Sequence, residues 1–213
     1  MEPRDGMILC DIGNSRMHLY DGCRVEHLSH AEGLARYARQ RVFFISVNES
    51  VRRKIGRLGL PWIDLSEKHL LKTAYKGLGI DREAACLGIE EGVVIDAGSA
   101  VTVDLMEEGR HLGGWIWPGL ERMLGAYRSI SDKLDVTLNP DVSLERLPLD
   151  TRDAVSFAML GSIAALVAKH AKAKRVVVTG GDAAVIARTI PGAVIDETIV
   201  FKGMKKMIKD SEC

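Results

Sequence analysis

The chain has 213 residues, 46% of them hydrophobic, which is enough for one large domain or two small domains with substantial cores. Lys and Arg together number 29, as do Asp and Glu together, which gives a formal net charge of zero. This balance argues against non-specific attraction to nucleic acid or an anionic membrane. No uninterrupted apolar run reaches the ~18 residues of a membrane span, and four scattered cysteines without a C-x-x-C pair fit reduced thiols.

The first part of the chain predicts a β-meander followed by alternating helices and strands. Strands are expected where β-branched and aromatic residues run together or alternate with polar ones: 7–11, around Met17 and Leu19, around Val25, 42–47 and 62–65. Helices are expected where apolar residues recur at helical spacing: a short one at 34–37, and two that end before a glycine, 51–58 and 82–91. Residues 66–80 between them are expected to be irregular.

The second part predicts the same order of elements again. The expected strands are 93–96, 101–106, 111–117, 175–179 and 193–195. The expected helices are 120–134, 151–173, 183–190 and 201–209, with a proline-containing loop at 139–150. The recurrence indicates two related halves with a soft boundary near residues 79–92.

Two short runs carry the same chemistry, Asp-Ile-Gly-Asn-Ser at 11–15 and Asp-Ala-Gly-Ser-Ala at 96–100. Each predicts a strand that delivers an aspartate to a tight glycine turn, where glycine permits positive φ and close approach of a ligand. The hydroxyl, amide and backbone N–H groups that follow can bind an anion. The aspartate would repel a phosphate, so it is expected to hold a cation or water, or to act as a base. One copy is commonly only a hairpin, but two copies at equivalent places suggest two half-domains facing one nucleotide.

A third run, Val176–Asp182, predicts a buried strand that enters Gly180-Gly181 at the start of a helix. Backbone N–H groups at a helix N-terminus form an anion or nucleotide contact. The plainer alternative is an ordinary strand-to-helix turn with Asp182 as the N-cap. Two phosphate turns followed by a glycine-rich helix start resemble the actin, Hsp70 and sugar-kinase ATPase superfamily.

Five motifs in order give the chain a closer resemblance, to type III pantothenate kinases over nearly its whole length. Each motif is weak alone, but their order and spacing are specific: 11–15, Gly79-Ile80-Asp81-Arg82, 96–100, 113–119 (Gly-Gly-Trp-Ile-Trp-Pro-Gly) and 151–155 (Thr-Arg-Asp-Ala-Val). The resemblance implies an α/β fold of two similar actin-like (ribonuclease H-like) half-domains, each a mixed β-sheet with helices, and a nucleotide cleft between them. Residues 1–88 would carry the first phosphate turn and the acceptor motif, and residues 89–213 the second phosphate turn and the adenosine-side Gly-Gly motif.

The same resemblance implies ATP-dependent phosphorylation of pantothenate to 4'-phosphopantothenate, the first step of coenzyme A biosynthesis. It implies Mg²⁺ with ATP, activation by a monovalent cation (K⁺ or NH₄⁺), and a homodimer. No nucleic acid or membrane partner is expected. The polar first six residues do not predict a secretory signal, so a cytoplasmic location is expected.

Carried over residue by residue, the resemblance implies roles for two sets of positions. The ATP-binding set is Asp11, Ile12, Gly13, Asn14, Ser15, Arg16, Met17, His18 and Ser99. The substrate-binding set is Tyr75, Gly79, Ile80, Asp81, Arg82 and Thr151. Asp81 would accept the proton of the attacking alcohol, Asp96 would bind the monovalent cation, and Asp11 would hold Mg²⁺ through water.

The chain departs from the family pattern in the segment after Pro118-Gly119, in its somewhat shorter length and at two serines, and the alternatives remain open. Ser15 and Ser99 stand where threonine is more usual, which keeps the hydroxyl. Asp81 and Arg82 taken alone would be interpreted as a surface pair at a helix N-terminus, and Arg82 could pair with a carboxylate or a phosphate. Another small-molecule kinase of the superfamily, or a non-catalytic ATP-binding regulatory protein, would share the fold. The acceptor motif together with Thr151 favours pantothenate.

Overall fold

Two β-sheets, one of five strands and one of six, organise residues 7–210, the part that this computed structural model describes, and the chain divides into two units. The first unit draws on residues 7–90, 107–112 and 197–210, and the second on 91–106 and 113–196. The sequence instead suggested one division between residues 88 and 89, and the independence of the two halves as domains stays a prediction. Cys213 and the polar segment 1–6 lie outside the described residues.

The first unit contains a five-stranded sheet and four helices. Its strands are β1 (Ile8–Ile12), β2 (Met17–Tyr20), β3 (Val25–Leu28), β4 (Val42–Ser46) and β5 (Trp62–Asp64), in the order β3-β2-β1-β4-β5. Its helices are α1 (His30–Arg36), α2 (Glu49–Leu58), α3 (Ile80–Leu87) and α7 (Ile199–Lys209). The strand β1 is antiparallel to β2 and parallel to β4, so the predicted meander and the strong β run at 42–47 meet in one mixed sheet.

Helices α3 and α7 pack closely because glycines lie where they cross. A Cβ on Gly203 of α7 would collide with the backbone of Ala84 in α3, and one on Gly88 would come within 2.5 Å of the Ile199 carbonyl oxygen. The buried residues of α7 include Phe201 and Met204. The last long helix of the described chain is therefore part of the core of the first unit.

The second unit repeats the strand arrangement of the first. Its strands are β7 (Gly92–Ala97), β8 (Ala100–Glu107), β9 (Arg110–Pro118), β10 (Val176–Thr179) and β11 (Val194–Ile195), in the order β9-β8-β7-β10-β11. The strand β7 is antiparallel to β8 and parallel to β10, as β1 is to β2 and β4. The α/β class with two mixed sheets is confirmed, and the weak internal repeat in the sequence corresponds to a repeated topology.

Helices α4 (Leu120–Ile130), α5 (Thr151–Ala171) and α6 (Ala183–Arg188) pack on the second sheet. By length and hydropathy alone α5 qualifies as a membrane span. Its buried residues, however, pack among the apolar residues of β7, β8 and β10: Val155, Met159, Leu160, Ile163 and Val167. This burial is typical of a core helix.

Several element boundaries differ from the prediction. Helix α1 begins at His30 because Ser29 and Glu32 form a capping box. Helix α4 ends at Ile130, and Asp132–Leu134 form a separate 3₁₀ turn that Ser131 caps. The segment expected to be irregular contains a two-residue strand, β6 (Lys72–Thr73), which pairs in parallel with the first residues of β9.

Candidate active site

The first Asp-x-Gly turn joins β1 to β2. Asp11 is the fourth residue of β1 and lies directly opposite His18 of β2. The turn closes through a hydrogen bond of 3.0 Å from the Gly13 N–H to the Arg16 carbonyl. The side chains of Asn14, Ser15 and Arg16 are exposed, so this loop can present hydroxyl, amide and guanidinium groups to a ligand.

Two residues of the predicted ATP-binding set have no exposed side chain. Ile12 and Met17 lie in the core of the first unit, because their strand positions alternate with those of Asp11 and His18. Only their backbone groups are available to a nucleotide. They act structurally by setting the register of the hairpin.

His18 continues a row of polar side chains across three strands. It lies opposite Asp11 on one side and opposite His27 of β3 on the other. The Nδ1 atoms of the two histidines are 2.6 Å apart, within hydrogen-bonding distance. Burial, followed by the neighbouring His27 and Arg16, lowers the pKa of His18 from 6.5 to about 4, so this imidazole is neutral at neutral pH.

The second Asp-x-Gly turn joins β7 to β8 and is enclosed by other parts of the second unit. Asp96 is near the end of β7, opposite Thr179 of β10. The Ser99 carbonyl accepts a hydrogen bond of 3.1 Å from the Gly119 N–H, and the Ala97 carbonyl accepts one of 2.9 Å from the Asp182 N–H. Strand ends and helix starts therefore converge on this turn.

Glycine is required at two flanking positions and for different reasons. Gly180 has φ +92°, and a Cβ there would lie 2.6 Å from Asp96 Oδ1. A Cβ on Gly119 would collide with the carbonyl oxygen of Gly98. Gly13 and Gly98 of the turns themselves are not among the described glycines with positive φ, so the positive φ that glycine permits is not adopted there.

The motif Gly-Gly-Asp at 180–182 forms the start of α6, as the sequence predicted. Asp182 is the N-cap position but makes no side-chain capping bond. Burial and the nearby Glu121 raise the pKa of its carboxyl group. The structure therefore gives Asp182 a different environment from that of an ordinary solvent-exposed N-cap.

The acceptor motif lies at the N-terminus of α3, which begins at Ile80 and not at Arg82 as the sequence suggested. The Asp81 Oδ1 atom accepts a hydrogen bond of 2.8 Å from the Arg82 N–H. Arg82 itself is only 6% exposed, so the interpretation as a surface pair is wrong. A buried guanidinium at a helix start is expected where an anionic group must be bound.

Tyr75 lies beside Arg82, although the two are seven positions apart in the sequence. The guanidinium carbon of Arg82 is 4.9 Å from the centroid of the Tyr75 ring, and Arg82 Nη1 donates to the Tyr75 hydroxyl at 3.3 Å. The structure thus brings together two members of the predicted substrate-binding set. Gly79 also fits closely, because a Cβ there would come within 2.5 Å of Asp81 Oδ1.

Thr151, the remaining member of that set, is the exposed first residue of α5. It borders an open pocket of about 680 Å³ whose lining includes Tyr127, Leu134 and Leu149. The Asp150 side chain accepts a hydrogen bond of 2.9 Å from the Asp153 N–H, so one N–H group of the first turn is already capped. Within the second unit, Asp96 and Ser99 share one turn, whereas Thr151 belongs to this separate pocket.

Sequence reasoning missed the residues that hold the acceptor segment in place. The buried Glu83 accepts hydrogen bonds from the Leu70 and Leu71 N–H groups at 2.6 and 2.9 Å and contacts His69 Nδ1 at 2.8 Å. The only signal in the sequence was a charged residue two positions after Asp81. Its burial depends on the fold of residues 69–71, which no local pattern predicts.

Known proteins that resemble the chain point to one family. The profile of the type III pantothenate kinase family matches residues 45–173. A type III pantothenate kinase of Wolinella succinogenes is 44% identical over 96% of this chain and 97% of the relative, and one of Helicobacter hepaticus is 40% identical over 95% and 98%.

Two solved structures have a similar fold. A Campylobacter jejuni protein named for the Baf family of transcriptional activators is 40% identical, with a TM-score of 0.85 over 96% of this chain and 98% of that one. A 2-dehydro-3-deoxygalactonokinase-type protein of Sinorhizobium meliloti, 12% identical with a TM-score of 0.61, covers 96% of both chains and shares the fold alone. The motifs and the repeated topology agree with the 44% and 40% identity that extends over nearly the whole chain. The chain therefore belongs to the type III pantothenate kinase family.

Proposed function

We propose that this protein transfers the γ-phosphoryl group of ATP to the primary alcohol of pantothenate and so begins coenzyme A biosynthesis. The observation that carries this proposal is the 44% and 40% sequence identity, over nearly the full length, with curated type III pantothenate kinases. The buried Arg82 beside Asp81 at the start of α3 supports it, because this pair suits an acceptor with a carboxylate and an alcohol.

Asp81 is the proposed general base. Its carboxylate takes the proton of the acceptor hydroxyl as that oxygen bonds to the γ-phosphorus and the bond to ADP breaks. In a loose phosphoryl-transfer transition state the proton leaves late, so correct placement matters more than strong basicity. The hydrogen bond from the Arg82 N–H to Oδ1 fixes the orientation of this carboxylate.

Arg82 and Tyr75 are the proposed binding groups for the rest of the acceptor. A guanidinium can donate two parallel hydrogen bonds to a carboxylate, and the one of Arg82 is desolvated and in contact with the Tyr75 ring. Gly79 and Ile80 place this pair at the helix start. Thr151 supplies a further hydroxyl contact in the proposal.

The two Asp-x-Gly turns are the proposed phosphate-binding elements. Ser15 and Ser99 are exposed at their tips, and hydroxyl and backbone N–H groups suit phosphate oxygens. Mg²⁺ bound with ATP would neutralise charge on those oxygens. Asp11 is the proposed holder of a water of that ion, since Mg²⁺ keeps several waters and uses few carboxylates.

Asp96 is the proposed ligand of a monovalent cation. The missing side chain of Gly180 leaves room beside Asp96 Oδ1, where a Cβ would lie only 2.6 Å away. Backbone carbonyl groups of the same turn, such as those of Ala97 and Gly98, are the oxygen donors that a weakly hydrated cation such as K⁺ or NH₄⁺ accepts. The residues present therefore fit such an ion.

We also propose a homodimer in the cytoplasm. Leu149 is fully exposed and Leu147 is 82% exposed, next to the pocket at the start of α5. Large apolar side chains that are exposed close together in sequence are candidates for an interaction surface. A second copy of the chain is the occupant that we propose for this face.

One assay separates the proposal from its alternatives. ADP release is measured with ATP and Mg²⁺, with and without pantothenate, and mass spectrometry identifies the phosphorylated product. We expect ADP release that depends on pantothenate and yields 4'-phosphopantothenate. Phosphorylation of other alcohols but not of pantothenate would instead assign the chain to another small-molecule kinase.

A second candidate is a non-catalytic ATP-binding regulator. The name of the Campylobacter jejuni neighbour, which refers to transcriptional activation, favours this candidate. ATP binding without any pantothenate-dependent turnover would support it. The zero net charge and the presence of both Asp81 and Asp96 favour the kinase.

A further inference from the structure

A small cluster joins Tyr75, a member of the predicted substrate-binding set, to two residues outside that set. It consists of Thr73, Tyr75 and His111, called the His111 brace below. Thr73 of β6 lies in register with His111 of β9 in a parallel pair, so their side chains share a face, and Thr73 Oγ1 is 2.8 Å from His111 Nδ1. His111 is only 5% exposed.

The brace reaches Arg82 through Tyr75. The Tyr75 N–H donates to Thr73 Oγ1 at 2.9 Å, which fixes the backbone at the start of the loop. The His111 and Tyr75 rings contact each other at a centroid distance of 5.8 Å. Tyr75 in turn lies against the Arg82 guanidinium at 4.9 Å, so the ring of Tyr75 contacts both an imidazole and a guanidinium.

The loop that carries Tyr75 needs such support. It runs from β6 to α3 and contains Gly77 in the left-handed conformation, with φ +74°. Glu83 anchors residues 70 and 71 before β6, but Tyr75 lies beyond that anchor. The hydroxyl of Thr73 ties the start of this loop to the buried His111, and the Tyr75 hydroxyl contacts the buried Arg82.

We propose that His111, acting through Thr73, is a positioning residue that sets the affinity for the acceptor. It holds Tyr75 against Arg82, so that the guanidinium is fixed in the orientation that receives the acceptor carboxylate. This inference rests on the proposed function, in which Tyr75 and Arg82 bind pantothenate. The contacts described for the brace involve neither Asp-x-Gly turn, so we expect changes in the brace to leave nucleotide binding largely unaffected.

Two substitutions at Thr73 form a matched pair. Thr73→Val keeps the shape but removes the hydroxyl that bonds both His111 and the Tyr75 N–H, whereas Thr73→Ser keeps the hydroxyl. Thr73 is exposed at a sheet edge, so neither change disturbs a core. Steady-state kinetics of the full chain are measured with ATP and pantothenate varied in turn, and folding is checked by circular dichroism.

We expect Thr73→Val to raise the KM for pantothenate roughly 3- to 10-fold. The two lost hydrogen bonds act on the acceptor only through Tyr75, so the effect should be about that of one direct hydrogen bond. The KM for ATP should stay unchanged and kcat should stay within about 2-fold, while Thr73→Ser restores the parent KM. His111→Asn, whose amide can still reach Thr73 but has no ring to contact Tyr75, should give an intermediate KM. Pantothenol has an alcohol in place of the carboxylate. The ratio of kcat/KM for pantothenate to kcat/KM for pantothenol should be smaller in Thr73→Val than in the parent protein.

Other results would overturn the inference. Equal KM values for pantothenate in Thr73→Val and Thr73→Ser would show that the hydroxyl does not position the site. Equal increases for both substrates would show general disruption. Absence of pantothenate-dependent turnover in the parent protein would instead contradict the proposed function, so the two failures are distinguishable.

Discussion

Asp81 has the central chemical role in the proposed reaction. We expect Asp81→Asn to keep the fold and ATP affinity but to lose turnover by about 10²–10⁴-fold, the range for removal of a general base. The amide has the same shape and can still accept the hydrogen bond from the Arg82 N–H, so local geometry should persist. Steady-state turnover and ATP titration calorimetry measure the two quantities.

A matched control for this experiment is Glu90→Gln, which removes an exposed carboxylate from the same unit and should leave turnover unchanged. Asp81→Asn turnover within a few-fold of the parent would remove Asp81 from the mechanism.

The proposed cation site at Asp96 leads to a separate prediction about monovalent cations. If its carboxylate holds a monovalent cation beside the nucleotide, turnover should be higher in K⁺ or NH₄⁺ than in Na⁺, and Asp96→Asn should weaken ATP binding more than pantothenate binding. The reason is that the turn of Asp96 also contains Ser99, the proposed ATP contact. Rates are compared in buffers of equal ionic strength, and identical rates in Na⁺ and K⁺ would contradict the assignment.

The His18 imidazole predicts a pH dependence of stability. Its pKa is about 4 in the folded protein against a reference value of 6.5, so below pH 6.5 the unfolded chain binds a proton that the folded chain does not. The contribution of His18 to the free energy of unfolding is therefore fully present above pH 6.5 and is lost as the pH falls towards 4. The loss between pH 7.5 and pH 5 is at most about 2 kcal/mol.

Urea unfolding at the two pH values measures this effect. The variant His18→Asn cannot take up the proton, so its stability should fall less between pH 7.5 and pH 5 than that of the parent. His170→Asn, at an exposed position in the other unit, serves as the control and should behave as the parent does. An equal fall in all three proteins would show that other groups dominate acid unfolding.

At the scale of elements, the second phosphate turn depends on how closely β10 and α6 approach β7. We expect Gly180→Ala to destabilise the protein by about 1–3 kcal/mol and to raise the KM for ATP. Its φ of +92° disfavours any side chain, and the added methyl group would contact Ala97 O and Asp96 Oδ1. Thermal unfolding and kinetics measure the two effects.

Gly181 provides a close control, since a Cβ there meets no atom within 4 Å. Gly181→Ala should therefore change stability by less than about 0.5 kcal/mol. Equal effects of the two substitutions would mean that the contact with Asp96 is unimportant.

Elements with a strong local pattern were predictable from the sequence. The strands β1, β4, β7 and β10 are apolar runs, and the long α5 has sustained helical spacing, so each was placed within a few residues. The duplicated Asp-x-Gly motif also predicted the repeated topology. These features depend on neighbours in sequence, which a pattern records.

Features that depend on distant partners were not predictable. The strand β6 has two residues and exists because Lys72 and Thr73 pair with Arg110 and His111. The burial of Arg82 depends on Tyr75, and the start of α3 at Ile80 was set two residues too late in the sequence because Gly79 makes no side-chain cap. The roles of Tyr75, Ile80 and Arg82 in the site came from family resemblance and stay proposals.

For the whole molecule, the apolar face at the start of α5 predicts self-association. We expect the parent protein to have the mass of a dimer in multi-angle light scattering and Leu149→Glu to shift it towards a monomer, because two glutamates would be buried without partners. Leu58→Glu places the same charge at another exposed leucine, which is 54% exposed at the end of α2, and should leave the mass unchanged. A monomeric parent protein, or equal masses for both variants, would contradict the proposed dimer.

The position of α7 also has a consequence for biosynthesis on the ribosome. Residues 7–90 are translated first, yet the helix that packs against α3 through Gly203 comes after the whole second unit has been made. Until then one side of α3 is uncovered in the nascent first unit, while the residues of the second unit, 91–106 and 113–196, can already pack together. We expect a ribosome-tethered chain that stops before residue 197 to show protease resistance in the second unit and cleavage near α3, so the later-translated unit would be the first to finish folding.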